Sequence, residues 1–144
     1  MIFRTVLTIA AVAVGISAAM AQQNIIDQRK ALMKANGQQS GILARMVRGD
    51  DPFDAAKVQV AFAQFAETAQ KFPDLFAENT RNGETRALPI VWEKRADFIA
   101  AAAKFGKDVA DYKDKVATLD GLKAAMPVIG KNCGDCHQTF RRPQ

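Results

Sequence analysis

Two cysteines and one histidine stand together near the end of this 144-residue chain, as Cys133-Gly134-Asp135-Cys136-His137. They are the only cysteines and the only histidine in the sequence. On a helix, residues three and four apart share a face. Cys133 and Cys136 can therefore both reach one flat cofactor edge, and His137 follows directly with an imidazole for a metal. C-x-x-C-H is the spacing that attaches haem covalently, the two thiols adding to the vinyl groups as thioethers and the histidine binding the iron. The expected cofactor is one haem c, bound covalently through Cys133 and Cys136, with His137 as an iron ligand.

Other uses of the same residues fit less well. A thioredoxin-like C-x-x-C sits near a helix N-terminus, where the dipole lowers the thiol pKa. Here the pair lies near the end of the last helical segment, where the dipole acts in the opposite sense. Structural zinc takes four protein ligands, and only three candidates cluster. A short-range disulfide is the remaining structural alternative.

Further groups are candidates by position. Met33 lies mid-face on the first helical segment. A buried methionine fills cores, and a thioether also serves as an axial haem ligand opposite histidine. Met46 and Met126 are open to the same two readings. Arg29, one turn before Met33, would need a partner on an apolar face; a haem propionate would serve, and an ordinary surface arginine is the alternative. Arg141, four residues after His137, suits either a propionate or the helix C-terminus. Trp92 suits the core better than a haem edge.

These residues must be positioned by helices, because no strand-like alternation of useful length occurs. Four are expected: about 25–47, ended by Gly49-Asp50-Asp51-Pro52; about 53–72, stopped by Pro73; one opening at Pro89; and one capped by Thr118 or Asp120. Val58, Phe62, Phe65, Ala69 and Phe72 step by fours and threes, the pattern of a seam between helices. In the third helix Trp92, Arg95, Ile99, Ala102, Gly106, Val109, Lys113 and Val116 form one stripe, and Phe98, Phe105 and Tyr112 an adjacent one. Leu122, Met126, Ile129, Cys133, Cys136 and Phe140 continue the pattern in the fourth, where Pro127 predicts a kink. A longer connection spans about 74–88, with Asn82-Gly83 as its tightest turn. The fold class is all-α, an antiparallel four-helix bundle with covalently attached haem.

The N-terminus has a different purpose. Arg4, the apolar run Val6 to Ile16 and Ala19-Met20-Ala21 have the layout of a secretory signal peptide cleaved after Ala21. The run is short for a bilayer span, which needs about 20 residues. The expected organisation is a signal peptide over 1–21, one domain over 22–144, and a periplasmic protein with no stable membrane insertion. Removing Arg4 lowers the formal charge from +5 to +4. Lys and Arg are interspersed with Asp and Glu, which is a solvated surface and no nucleic-acid footprint.

The late C-x-x-C-H on a helical chain resembles the class II cytochromes c, the cytochrome c prime family. The likeness covers roughly Asn24 to Arg142. Arg29-Lys30-Ala31-Leu32-Met33-Lys34-Ala35-Asn36-Gly37 is similar to the first helix of the family's low-spin branch, as are the stretches Gly49 to Asp54, Leu122 to Gly130 and Phe140-Arg141. The resemblance implies Met33 as sixth iron ligand, Arg29 and Arg141 as propionate or pocket residues, and single-electron transfer between redox partner proteins. That role implies no substrate and no catalytic acid or base, so no enzymatic activity is expected. The family's other branch is five-coordinate and binds nitric oxide or carbon monoxide, the alternative function. Homodimers formed through the first two helices are a further family tendency.

Overall fold

The computed structural model describes the backbone of residues 2–143 and the side chains of residues 20–143. The signal-peptide reading falls largely on residues 1–19, whose side chains lie outside the described residues. Four long helices, α1 (Ile2–Arg48), α2 (Ala55–Lys71), α4 (Arg95–Tyr112) and α5 (Leu119–Phe140), are joined by turns and one longer connection that contains the single-turn α3 (Ile90–Glu93). α1 packs against α2 and α5, and α4 packs against the same two. The result is an antiparallel four-helix bundle in which α2 stands diagonally opposite α5. No described helix is long and apolar enough to cross a membrane.

Local signals explain the boundaries. α1 ends in a Schellman motif: Gly49 takes φ +82°, its N–H donates to the Met46 carbonyl at 3.1 Å, and the Asp50 N–H donates to the Arg45 carbonyl at 2.9 Å. Glycine adopts that left-handed conformation without a Cβ penalty. Asp54 caps α2 by accepting from the Lys57 N–H at 3.1 Å. Thr118, one of the two expected caps, serves α5 by accepting from the Gly121 N–H at 3.2 Å. α5 runs through Pro127 without a break.

The third expected helix is two. After α3 the chain leaves helical geometry at Lys94 (φ −112°, ψ 52°) and then resumes as α4. The expected main stripe is only partly buried: Ile99 is 45% exposed, whereas Val109 on the same stripe and Phe98 on the adjacent one are buried. Beyond α2 the chain tightens into a 3₁₀ turn over Phe72–Leu75, with a second at Glu78–Thr80.

The core has two parts. One end of the bundle is filled by Leu43, Met46, Val58, Phe62, Phe65, Val109, Val116, Leu122 and Ile129. The other holds a smaller aromatic group from the connection, α4 and α5, in which Phe98 meets Phe76 at 4.8 Å and Phe140 at 5.3 Å edge-on. The space between them is open, and the site lies there.

Candidate haem site

A cavity of about 600 Å³ runs between the helices, and Met33, Cys133, Cys136, His137, Arg29 and Arg141 all line it. Its size is that of a site for a substantial organic ligand. α5 contributes the cysteines and the histidine to one wall, and α1 contributes Met33 to another.

The structure separates the three methionines. Met46 is buried in the filled end of the bundle and Met126 packs against the same cluster, so both are core residues. Met33 alone of the three reaches the cavity.

The environment of the α5 residues suits a metal-ligand role. Burial, followed by the positive charges of Arg141 and Arg86, pulls the His137 imidazole below its ordinary pKa. A neutral imidazole is the form that offers a lone pair to a metal. The Cys133 thiol is pushed up by burial, and the Cys136 thiol by burial and then by Cys133. A redox-active dithiol needs the opposite shift, so thiol–disulfide chemistry is disfavoured. No described group of three or more His, Cys, Asp and Glu side chains could hold a metal ion by itself, which argues against zinc. An apolar slot with two thiols and an adjacent imidazole on one wall fits a covalently bound haem.

Arg29 lines the cavity and is held by contacts that the sequence did not show. It is only 4% exposed. Its Nε donates to the Leu75 carbonyl at 2.9 Å and Nη2 to the same oxygen at 2.6 Å. Nη1 reaches the Thr80 carbonyl at 3.3 Å, and Nη2 also donates to Thr80 Oγ1. The guanidinium lies 3.9 Å from the Phe76 ring centre. Burial, and then the neighbouring charge of Arg95, lower its pKa to about 10, which leaves it a cation at neutral pH. The surface-arginine alternative is excluded by this burial. Most of its N–H groups hold the connection between α2 and α3 against α1. Trp92 is buried in the same aromatic group, with its Nε1 donating to the Ala77 carbonyl at 3.2 Å, and it does not line the cavity.

Arg141 is exposed and its side chain lines the cavity mouth. The backbone around it pairs with the connection: Ala87 and Arg141 form an antiparallel bridge, the Leu88 N–H donates to the Phe140 carbonyl at 3.0 Å, and the Arg142 N–H donates to the Arg86 carbonyl at 2.9 Å. This strap brings Arg86 beside His137, and Arg86 has no signal in the sequence because 51 positions separate the two. Asn36 and Thr68 also line the cavity. Asn36 was detectable in principle, one turn beyond Met33 on the same face.

Comparison with known proteins agrees with this geometry. Residues 24–141 match the family model described as Cytochrome C'. Cytochrome c-556 of Rhodopseudomonas palustris is 40% identical over 143 residues, covering 96% of each chain. An NMR-validated structural model of oxidised R. palustris cytochrome c556 superposes with a TM-score of 0.76 at 38% identity, covering 85% of this chain and 98% of that one. Cytochrome c' from the same organism superposes with a TM-score of 0.79 at 34% identity, covering 83% and 97%. A four-helix bundle with a late C-x-x-C-H, a cavity lined by that segment and relatives of this closeness place the chain in the cytochrome c' family, the class II cytochromes c, as a haem protein with one covalently attached haem c.

Proposed function

We propose that the protein carries single electrons between redox partner proteins in the periplasm, with His137 and Met33 as the two axial ligands of its iron. The observation that carries this reading is the placement of Met33 on the α1 wall of the cavity whose α5 wall holds His137. When bound, haem c supplies one-electron exchange between ferrous and ferric iron. Cys133 and Cys136 tether it, and His137 offers a neutral nitrogen. Met33 offers a soft thioether, a ligand that raises the reduction potential. Two protein ligands held on packed helices keep the same geometry in both oxidation states, so little rearrangement accompanies electron exchange. Arg141, at the cavity mouth beside Arg86, is proposed to meet a propionate by charge-assisted hydrogen bonds. Arg29 is proposed as a pocket residue that acts mainly through its charge, since its donors are largely committed to Leu75 and Thr80.

The mature chain is proposed to begin at Gln22 after removal of residues 1–21, two residues before the family match starts at residue 24. Mass spectrometry of the protein recovered from the periplasm checks this. Doubly substituted Cys133→Ala/Cys136→Ala protein is expected to show no haem stain on a denaturing gel, because only thioether-bound haem survives that treatment.

Absorption spectroscopy tests the ligand set. Oxidised wild-type protein is expected to be low-spin with a weak sulfur-to-iron band, and the reduced protein to ignore carbon monoxide. Met33→Ala should lose the band, become five-coordinate and bind carbon monoxide. A wild-type protein that is high-spin and binds carbon monoxide would overturn Met33 ligation and support the five-coordinate, gas-binding function of the family's other branch.

A further inference from the structure

The cavity wall formed by α1 and α2 carries Lys30, Asn36, Ser40 and Thr68 beside Met33 and Ala69, and two of its polar residues, Asn36 and Thr68, form an organised pair. Thr68, 2% exposed on α2, donates from Oγ1 to Asn36 Oδ1 on α1 at 2.9 Å. Gln64 Nε2 donates to the same Thr68 hydroxyl at 3.1 Å, which leaves the hydroxyl proton for Asn36. The Asn36 carbonyl oxygen is therefore occupied, and its amide is oriented with Nδ2 away from Thr68. Both residues line the cavity, and Nδ2 makes no hydrogen bond to the described residues. α2 stands diagonally opposite α5, so this pair faces the wall of His137 across the cavity.

Asn36 is half-buried on the cavity wall, so its amide can meet a molecule that enters the cavity. Asn36 is one turn from Met33, on the side of the cavity where a sixth ligand would lie. Donors at that position govern which external molecules a haem accepts. We infer that Asn36, held in orientation by Thr68, is a distal hydrogen-bond donor that favours ligands with an acceptor atom beyond the one bound to iron, anions such as azide, over carbon monoxide. The inference rests on the haem reading of the cavity and not on Met33 ligation, because Asn36 lines the same cavity whether or not Met33 binds the iron.

The experiment uses Met33→Ala holoprotein as the starting point, so that the sixth position is free whichever ligand set the wild type has. Azide affinity of the ferric form and carbon monoxide affinity of the ferrous form are measured by optical titration. Asn36→Leu removes the donor at similar volume. Thr68→Val removes the hydroxyl that orients it, and Thr68→Ser keeps that hydroxyl. A single hydrogen bond to a charged ligand is worth about tenfold in affinity. Asn36→Leu is expected to weaken azide about tenfold and leave carbon monoxide within twofold. Thr68→Val should weaken azide in the same direction, and Thr68→Ser should restore it. If Asn36→Leu fails to fold, the Thr68 pair decides. Unchanged azide affinity, or a parallel loss of both ligands, overturns the inference. The Met33 assignment is judged separately on the wild-type spectrum, so either reading can fail without the other.

Discussion

At the residue scale, the C-x-x-C-H segment and Arg29 illustrate opposite situations. Cys133, Cys136 and His137 are neighbours in sequence, and their shared face follows from helical spacing alone. Arg29 is defined by residues 46 and 51 positions away, Leu75 and Thr80. Its role is to satisfy carbonyls of a connection that has little regular structure of its own. Replacing Arg29 by Met leaves those acceptors buried and unpaired, and hydrogen bonds from a charged donor are worth about 1.5–3 kcal/mol. Arg29→Met is expected to lose about 2–3 kcal/mol in a denaturant titration of the holoprotein. Arg29→Lys should recover only part of this, since an ammonium lacks the planar fork that reaches both Leu75 and Thr80. Full recovery by lysine would show that charge, and not the fork, is what the connection requires.

At the element scale, the turn between α4 and α5 sets the register of the haem-binding helix. Thr118 caps α5, and Gly121 lies so close to the preceding turn that a Cβ there would meet the Lys115 carbonyl oxygen at 1.8 Å. That carbonyl is backbone and cannot swing aside. Thr118→Ala should cost about 1 kcal/mol, the usual loss for a cap. Gly121→Ala must displace the turn, and a larger loss is expected, with a lower thermal midpoint than Thr118→Ala. Equal midpoints for the two variants would mean that the turn yields freely. The consequence reaches the site, because Cys133 and Cys136 lie three to four turns along the same helix and their direction depends on where α5 begins.

At the scale of the whole molecule, the cavity dominates the energetics. The cavity of about 600 Å³ has a largely apolar lining, which meets water when the cavity is empty and would be covered by a bound haem. The bundle is therefore expected to depend on its haem. Protein made without haem attachment is expected to lose fixed tertiary packing, with near-ultraviolet circular dichroism largely abolished and helical signal partly retained. A cooperative unfolding transition at the holoprotein's midpoint would contradict this. The filled end of the bundle, built around Phe62 and Phe65, is the part expected to keep residual structure.

Much of this protein was legible in the order of its residues. Seams at steps of three and four predict four long helices, and Gly49, Pro73 and Thr118 mark their ends, because helix periodicity and capping are local physics. The attachment segment is legible for the same reason. The sequence alone did not reveal the interruption at Lys94. No local signal there is strong enough to outweigh a continuous apolar pattern, and the packing of the aromatic group decides it. Nor could periodicity choose among Met33, Met46 and Met126, all of which occupy apolar faces. Only the assembled bundle distinguishes the end filled by large side chains from the end left open. The position of Met33 on the cavity wall, the burial of Arg29 and the approach of Arg86 to His137 are set by contacts between distant segments, and those exist only once the chain has packed.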